Sequence, residues 1–327
     1  MKLHLKKFLF VCAVLHGFSG YESHAQQDAF AKAEQLFQKE QFSKSKALFE
    51  AHLAKHPNDM KAQEYLGDIA GYEKRWDDAI AIYGQLVDAD QDQANYHFKL
   101  GGSLGMKALS ISRIRALSYI GDIKEHFTRA VELDPKHIEA RWALVEFYIQ
   151  LPGIVGGSER KALEYADQLE TISKVDGFLA KGYVAEYMDR PEDAERYYKK
   201  AIAVGGSEHT YEKLAAHYEK QQQPDKAIST TQESLQKHQR NHLNYQIGKI
   251  AAQYNLKNEL GIDCLERYIA NHSVRDGVPL DWAYYRLAQI YKNLGQKKEA
   301  LVWIDKALSK RPDFEEAQDE KRLIEAL

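Results

Sequence analysis

His52 and His56 stand four residues apart, the spacing at which two imidazoles on one helix face can hold a zinc ion. A hydrolytic zinc site of that kind needs a glutamate directly after the first histidine. Leu53 stands there instead, so the pair is expected on an exposed helix face. Asp88, Asp90 and Asp92 alternate as the opening carboxylates of a calcium loop do. Gln93 occupies the place of the turn glycine and Lys99 that of the closing bidentate carboxylate, which leaves a polar turn between helices as the expectation. The run Gly101-Gly102-Ser103-Leu104-Gly105-Met106-Lys107 is glycine-rich and ends in lysine, but it lacks phosphate-loop spacing and follows no strand-forming segment. Close helix packing explains it better. No nucleophile-elbow sequence occurs, and the many carboxylate pairs fall on charged helical faces. These residues support no catalytic site, no metal site and no cofactor, and the expectation is a protein that is not an enzyme.

The elements behind these residues are bounded first by composition. The chain has 327 residues, 44% hydrophobic and 28% charged, with 45 Lys and Arg against 48 Asp and Glu. That excludes collagen, low-complexity disorder and a polytopic membrane protein. A net charge of −3 provides no concentrated basic face for nucleic acid. Two cysteines cannot build a disulfide framework or a cysteine-rich zinc module. Residues 1–25 read as a secretory signal peptide: Lys2, Lys6 and Lys7, then the apolar run Phe8 to Leu15, then Ser23-His24-Ala25 before the cut. The apolar run is too short to be a lasting anchor, and no transmembrane segment is expected in the mature chain. Cleavage after Ala25 removes three Lys and one Glu, leaving 42 basic and 47 acidic residues. It also leaves Cys264 without a second thiol, which suits an oxidising compartment. The expected location is the periplasm or the exterior.

Repeats then decide the fold class. Two small residues recur twelve apart, as Ala33/Ser45, Gly67/Ala79, Gly182/Ala194, Ala215/Ala227 and Ala288/Ala300, and Gly248/Gly261 is the same pair one residue longer. Gly101 and Val145 open two further units whose partners, Ile123 and Ala162, lie 22 and 17 residues on. Small residues let two antiparallel helices cross closely. The bulky residue four places after the second small one, such as Phe49, Tyr83, Phe127 or Tyr198, is expected in the wedge between one unit and the next. Pro57, Pro135 and Pro312 should stop second helices, and Pro191 and Pro224 should begin them. The expectation is an all-α solenoid of eight helix pairs near 26–59, 60–93, 94–137, 138–174, 175–207, 208–240, 241–278 and 279–312, closed by a capping helix at 313–327. In the cap, Phe314, Ala317, Ile324 and Leu327 should face the last pair while Glu315, Glu316, Asp319, Glu320 and Lys321 meet water.

This spelling resembles the tetratricopeptide repeat over about residues 26–312, most specifically at Leu66-Gly67/Trp76/Ala79/Tyr83 and at Leu287-Ala288/Tyr291/Gly295/Ala300/Ala307/Pro312. The run Arg141-Trp142-Ala143-Leu144, Phe147-Tyr148 and Pro152-Gly153-Ile154-Val155-Gly156-Gly157 is similar to a stretch of exported bacterial repeat proteins. The resemblance implies a right-handed superhelix whose first helices line a concave groove that binds peptides or proteins. Helical spacing puts Glu64, Asp68, Trp142, Glu146, Tyr183, Glu186, Tyr187, Tyr245 and Tyr285 on that stripe, together with Glu34, Glu212, Glu219 and Lys249. Acids beside aromatics there favour a basic or aromatic partner segment. The Lys-and-Asn clamp for a terminal carboxylate, known from chaperone-binding relatives, is absent from this stripe. The expected function is an exported scaffold without chemistry of its own. The alternative is a carrier that stacks a small molecule or glycan on Trp142, Tyr183 or Tyr245.

Extra residues fall inside the third and fourth units, in Gly102–Tyr119 and around Pro152–Ser158. Their apolar content, Met106, Leu109, Ile111, Ile114 and Leu117 in one and Ile154 and Val155 in the other, predicts a joint packed lobe on one edge. Gly153, Gly156 and Gly157 should permit its tight backbone.

Overall fold

The computed structural model describes residues 29–327, and among them every regular element is helical. The signal-peptide segment lies outside the described residues. The chain forms two compact units. The first holds α1 (29–38), α2 (Phe42–Leu53), α3 (Met60–Tyr72), α4 (Trp76–Ala89), α5 (Ala94–Ser110), α6 (Arg113–Ala116), α7 (Ile120–Leu133) and α8 (Ile138–Gln150), and ends at Ser158. The second holds α9 (Glu159–Ile172), α10 (Lys174–Tyr187), α11 (Pro191–Val204), α12 (Glu208–Lys220), α13 (Pro224–His238) and α14 (Asn241–Tyr254). It continues through α15 (Asn258–Ala270), α16 (Leu280–Asn293), α17 (Lys297–Lys310) and α18 (Glu315–Glu325). Within each unit consecutive helices pack as antiparallel pairs, α3 on α4 and α5 on α7 in the first, α10 on α11 through α16 on α17 in the second. The boundary between units falls inside the expected fourth pair.

The twelve-residue interval has a backbone cause. Five first helices end on a single left-handed residue: Glu40 (φ 56°), Lys74 (58°), Asp189 (54°), Gln222 (54°) and Gly295 (71°). The next amide donates to the carbonyl five residues earlier, as in Arg75 to Ala70 at 2.8 Å and Gln223 to Tyr218 at 2.8 Å. This is the Schellman closure of a helix. In all five pairs the left-handed residue lies seven places after the first small residue and five before the second. The turn therefore fixes the register at which the two helices cross. After Gly248 the extra residue is absorbed by a second left-handed position, with Asn255 at φ 49° and Lys257 at φ 50°.

At the crossings the expected wedge residues prove to cover their own pair's glycine. A Cβ on Gly67 would lie 2.7 Å from the Tyr83 ring, and one on Gly182 would lie 2.5 Å from Tyr198. The Tyr83 hydroxyl donates to Asp68 Oδ1 at 2.6 Å, and burial with this carboxylate raises the phenol far above its ordinary value. Phe49 does reach the next pair, stacking on Tyr65 at 4.6 Å. Pro191 and Pro224 begin α11 and α13, where the missing N–H costs nothing. Pro57, Pro135 and Pro312 follow the ends of α2, α7 and α17.

Three expectations are corrected. His52 is not on an exposed face: its side chain is 12% exposed and its Nε2 meets Asp59 Oδ2 at 2.7 Å. In the cap, Glu320 turns inward to Lys292 Nζ at 2.6 Å, while Leu327 is 61% exposed. The joint lobe does not form. Residues 102–110 lengthen α5 instead, and Ile154 stands 93% exposed beyond α8. The tight turn there is as expected, with Gly156 at φ 104° and no room for a side chain on Gly157, where a Cβ would lie 1.7 Å from the Leu151 carbonyl oxygen.

The α5–α7 junction contains a histidine pair, His97 Nδ1 to His126 Nδ1 at 2.9 Å. His97 Nε2 reaches the Gln91 carbonyl at 3.1 Å. A carbonyl only accepts, so His97 donates from Nε2; with its Nδ1 as the acceptor, His126 Nδ1 is the donor of the pair, and protons on both facing Nδ1 atoms would break it. Burial and the facing His97 hold His126 below the ordinary imidazole value of 6.5. Between the folded and the unfolded value the unfolded chain binds the extra proton. The pair's contribution is therefore whole above the ordinary value and is lost as pH falls below it. Thermal unfolding from about pH 7.5 to 5 should show this acid loss, and His126→Phe should flatten it. An unchanged pH profile in the variant would contradict the assignment.

Candidate functional site

The acids expected on the first-helix stripe are held in a ladder. Each reaches a partner about one repeat further along. Glu34 accepts from Lys61 at 2.6 Å and from Tyr65 at 3.0 Å. Glu64 accepts from Asn95 and Lys99, both at 2.7 Å, and Asp68 accepts from Lys99 at 2.8 Å. In the second unit Glu186 meets His217 Nδ1 at 3.0 Å and Glu219 meets Lys249 at 3.2 Å. His217, Lys220 and the Tyr198 hydroxyl together hold the Glu186 carboxyl below the ordinary range, although burial alone would raise it. These carboxylates knit successive first helices together before they meet any ligand.

The aromatic candidates divide. Trp142 is half-buried and Glu146 exposed on α8. On α10, Tyr183 is half-buried and Tyr187 is 50% exposed, with ring centres 6.4 Å apart. Tyr245 and Tyr285 are corrected to interior positions, 5% and 8% exposed. Tyr245 packs on Tyr268 at 5.4 Å, and Tyr285 packs on Phe314 at 5.3 Å and accepts a hydrogen bond from Gln289. Neither ring is offered to a ligand. Glu64, Asp68, Trp142 and Glu146 lie in the first unit, the other candidates in the second.

A groove of about 490 Å³ lies between α12 and α14, floored by α13. Helical spacing aligns Glu208, Tyr211, Glu212, Ala215 and Glu219 along one side. His242, Gln246 and Lys249 line the other. Small Ala215 and Ala216 keep the space between the helices open. Glu208 meets His242 Nε2 at 2.8 Å, whereas Glu212 is 73% exposed with only His209 near it at 3.6 Å. On the floor, the buried Ser234 hydroxyl has no hydrogen-bond partner. Three carboxylates against Lys249 give the groove an acidic balance, with Tyr211 as its aromatic surface. Glu212, Glu219 and Lys249 follow from the stripe in the sequence, but Tyr211, His242 and Gln246 do not. The signal for α14 is the polar series His242, Gln246 and Lys249, which is displaced by one residue from the aromatic Tyr245.

Other potential chemistry is absorbed by structure. Asp90 accepts from the Asp92 amide within its turn, and Asp92 pairs with Arg129. Gly101 packs under Phe127, where a Cβ would lie 3.0 Å from the ring. The Cys264 thiol is buried, which pushes its pKa up to about 11 and makes it a poor nucleophile. Among the described residues no group of three or more His, Cys, Asp or Glu is placed to hold a metal ion. No helix among them is long and apolar enough to cross a membrane.

Two tetratricopeptide-repeat family models match the chain, at residues 30–94 and at 283–314. No curated protein matches the sequence. Among solved structures, a tetratricopeptide repeat protein from Parabacteroides merdae ATCC 43184 is 14% identical, with 91% of this chain and 98% of that one covered and a TM-score of 0.48. YrrB, described as a TPR protein with an unusual peptide-binding site, is 18% identical over 60% of this chain and 97% of its own, with a TM-score of 0.43. A thermophilic TPR protein from Thermus thermophilus is 14% identical over 75% of this chain and 99% of its own, with a TM-score of 0.42. The chain thus carries tetratricopeptide repeats at residues 30–94 and 283–314, within a sequence of described residues built throughout from helix pairs.

Proposed function

We propose that the protein is an exported interaction scaffold that holds an extended basic and aromatic segment of a partner in the groove between α12 and α14. The observation that carries this reading is the acidic, tyrosine-bearing lining at Glu208, Tyr211, Glu212 and Glu219. Opposite charge steers encounter, and a rigid aromatic supplies contact area at small entropic cost. Tetratricopeptide-repeat proteins mediate protein interactions, which supports a scaffold over a catalyst. Export rests on the basic, apolar and small-residue order of residues 1–25, and its signature is an N-terminus at Gln26 on protein from the native host.

The test is titration of the chain from Gln26 with a synthetic Arg/Tyr peptide and with its Glu/Tyr counterpart. The Arg/Tyr peptide should bind, and binding should weaken as salt shortens the Debye length from about 8 Å to 3 Å. Joint Glu208→Lys and Glu212→Lys change should weaken it on the order of tenfold, and Glu212→Lys alone, at a side chain 73% exposed, should weaken it without lowering the melting temperature. Equal affinity for both peptides would remove the basic-segment reading. A small molecule retained in native mass spectrometry of the purified protein would instead favour a carrier, since the groove volume lies in the range of ligand pockets.

A further inference from the structure

The insertion that fails to form a lobe leaves a surface for which the helix stack provides no cover. Leu109 is 76% exposed at the end of α5, Ile114 83% on α6 and Leu117 51% just beyond it. Arg113 and Arg115 are exposed between them. No Asp or Glu occurs from residue 93 to residue 121, the flanking acids being Asp92 and Asp122. α7 packs on both α5 and α8 and runs back between them, so the C-terminal ends of α5 and α8 lie toward one edge of the first unit. Ile154, 93% exposed, projects just beyond α8 at that edge. Three large aliphatic side chains and two arginines thus stand on one insertion, with Ile154 toward the same edge of the first unit, in a protein whose net charge is negative.

We propose that this edge docks on an anionic phospholipid surface, with Leu109, Ile114, Leu117 and Ile154 entering the acyl boundary and Arg113 and Arg115 meeting the phosphates. Charge complementarity carries the choice of occupant. Asp77 pairs with Lys107 at the end of α5, and Arg113 and Arg115 remain as exposed cations of the segment, whereas the groove between α12 and α14 is acidic, so the two surfaces suit different partners. Shape agrees. A stable protein interface buries about 1,200–2,000 Å² over a complementary face, and a few side chains projecting singly from a turn do not provide one. The same projection is what interfacial insertion uses, apolar tips below and cations at the headgroups. The proposal is independent of the groove reading.

The test uses the chain from Gln26, which retains every described residue. Co-flotation is measured with vesicles of phosphatidylcholine alone and of phosphatidylcholine with phosphatidylglycerol in equal parts. The expected result is binding to the anionic vesicles, weakened at least about tenfold by Ile114→Asp with Leu117→Asp and by Arg113→Ala with Arg115→Ala. These side chains are exposed, so melting temperatures should not change. Absence of vesicle binding, or equal binding by the wild type and both variants, would overturn the proposal. Saturable binding of an acidic amphipathic peptide, with vesicles ignored, would overturn it in favour of a protein partner.

Discussion

Gly177→Ala should be among the most damaging single changes in the second unit, lowering stability by about 2–3 kcal/mol. A Cβ there would lie 2.3 Å from the Glu170 Cα and 2.5 Å from its amide nitrogen, so backbone and not a rotatable side chain stands in the way. The helices α9 and α10 must move apart, and the packing they share is lost with the shift. Alanine gains about 1 kcal/mol over glycine in a helix interior, and that gain offsets only part of the loss. Gly182→Leu and Gly67→Leu should cost about 1–3 kcal/mol, because tyrosine rings block them. Gly71→Ala is the internal control: nothing lies within 4 Å of its Cβ position in α3, so stability should stay or rise by up to about 1 kcal/mol. Urea unfolding of the four variants measures the order. A Gly177→Ala protein as stable as Gly71→Ala would mean that the α9–α10 crossing is wrongly placed.

Lys99→Met should cost the first unit about 2 kcal/mol. Its ammonium bridges Glu64 at 2.7 Å and Asp68 at 2.8 Å, and all three side chains are less than a quarter exposed. Methionine keeps the aliphatic stem and removes the charge. Two carboxylates one helical turn apart then face each other, with Asp68 still accepting from Tyr83. Unpaired, partly buried charge is the main cost, so adding Glu64→Gln should recover part of the loss. A double-mutant cycle isolates the coupling. Additive effects in that cycle would show that Glu64 and Lys99 do not act as a rung between α3 and α5.

The fold is legible where one local device repeats. The small-residue pairs are visible in sequence because a left-handed turn residue locks their interval, yet that residue is glycine only at Gly295 and is otherwise Glu40, Lys74, Asp189 or Gln222. Gly177 lies outside the interval, and the contact with Glu170 that demands it is made by a different helix junction, so spacing cannot point to it. An aromatic ring alone suggests Tyr245 for the stripe. The α14 register gives that direction to Gln246, and Tyr245 finds more burial against Tyr268. Glu320 looks like a surface residue until Lys292 of α16 is seen beside it. The insertion misleads for a different reason. Apolar composition predicts burial only when a neighbour is within reach, and the tip of an edge turn has none.

A partner segment seated in the groove between α12 and α14, as proposed, would shield the backbone of both helices. Hydrogen exchange on the chain from Gln26, with and without the Arg/Tyr peptide, tests this most directly. Slowed exchange should be confined to the second unit and centred on Glu208–Lys220 and Asn241–Tyr254, and the Glu208→Lys, Glu212→Lys protein should need about ten times more peptide to reach the same protection. Bound peptide that leaves both helices at their free exchange rates, or that protects them equally in the charge-reversed protein at the same peptide concentration, would contradict the proposal.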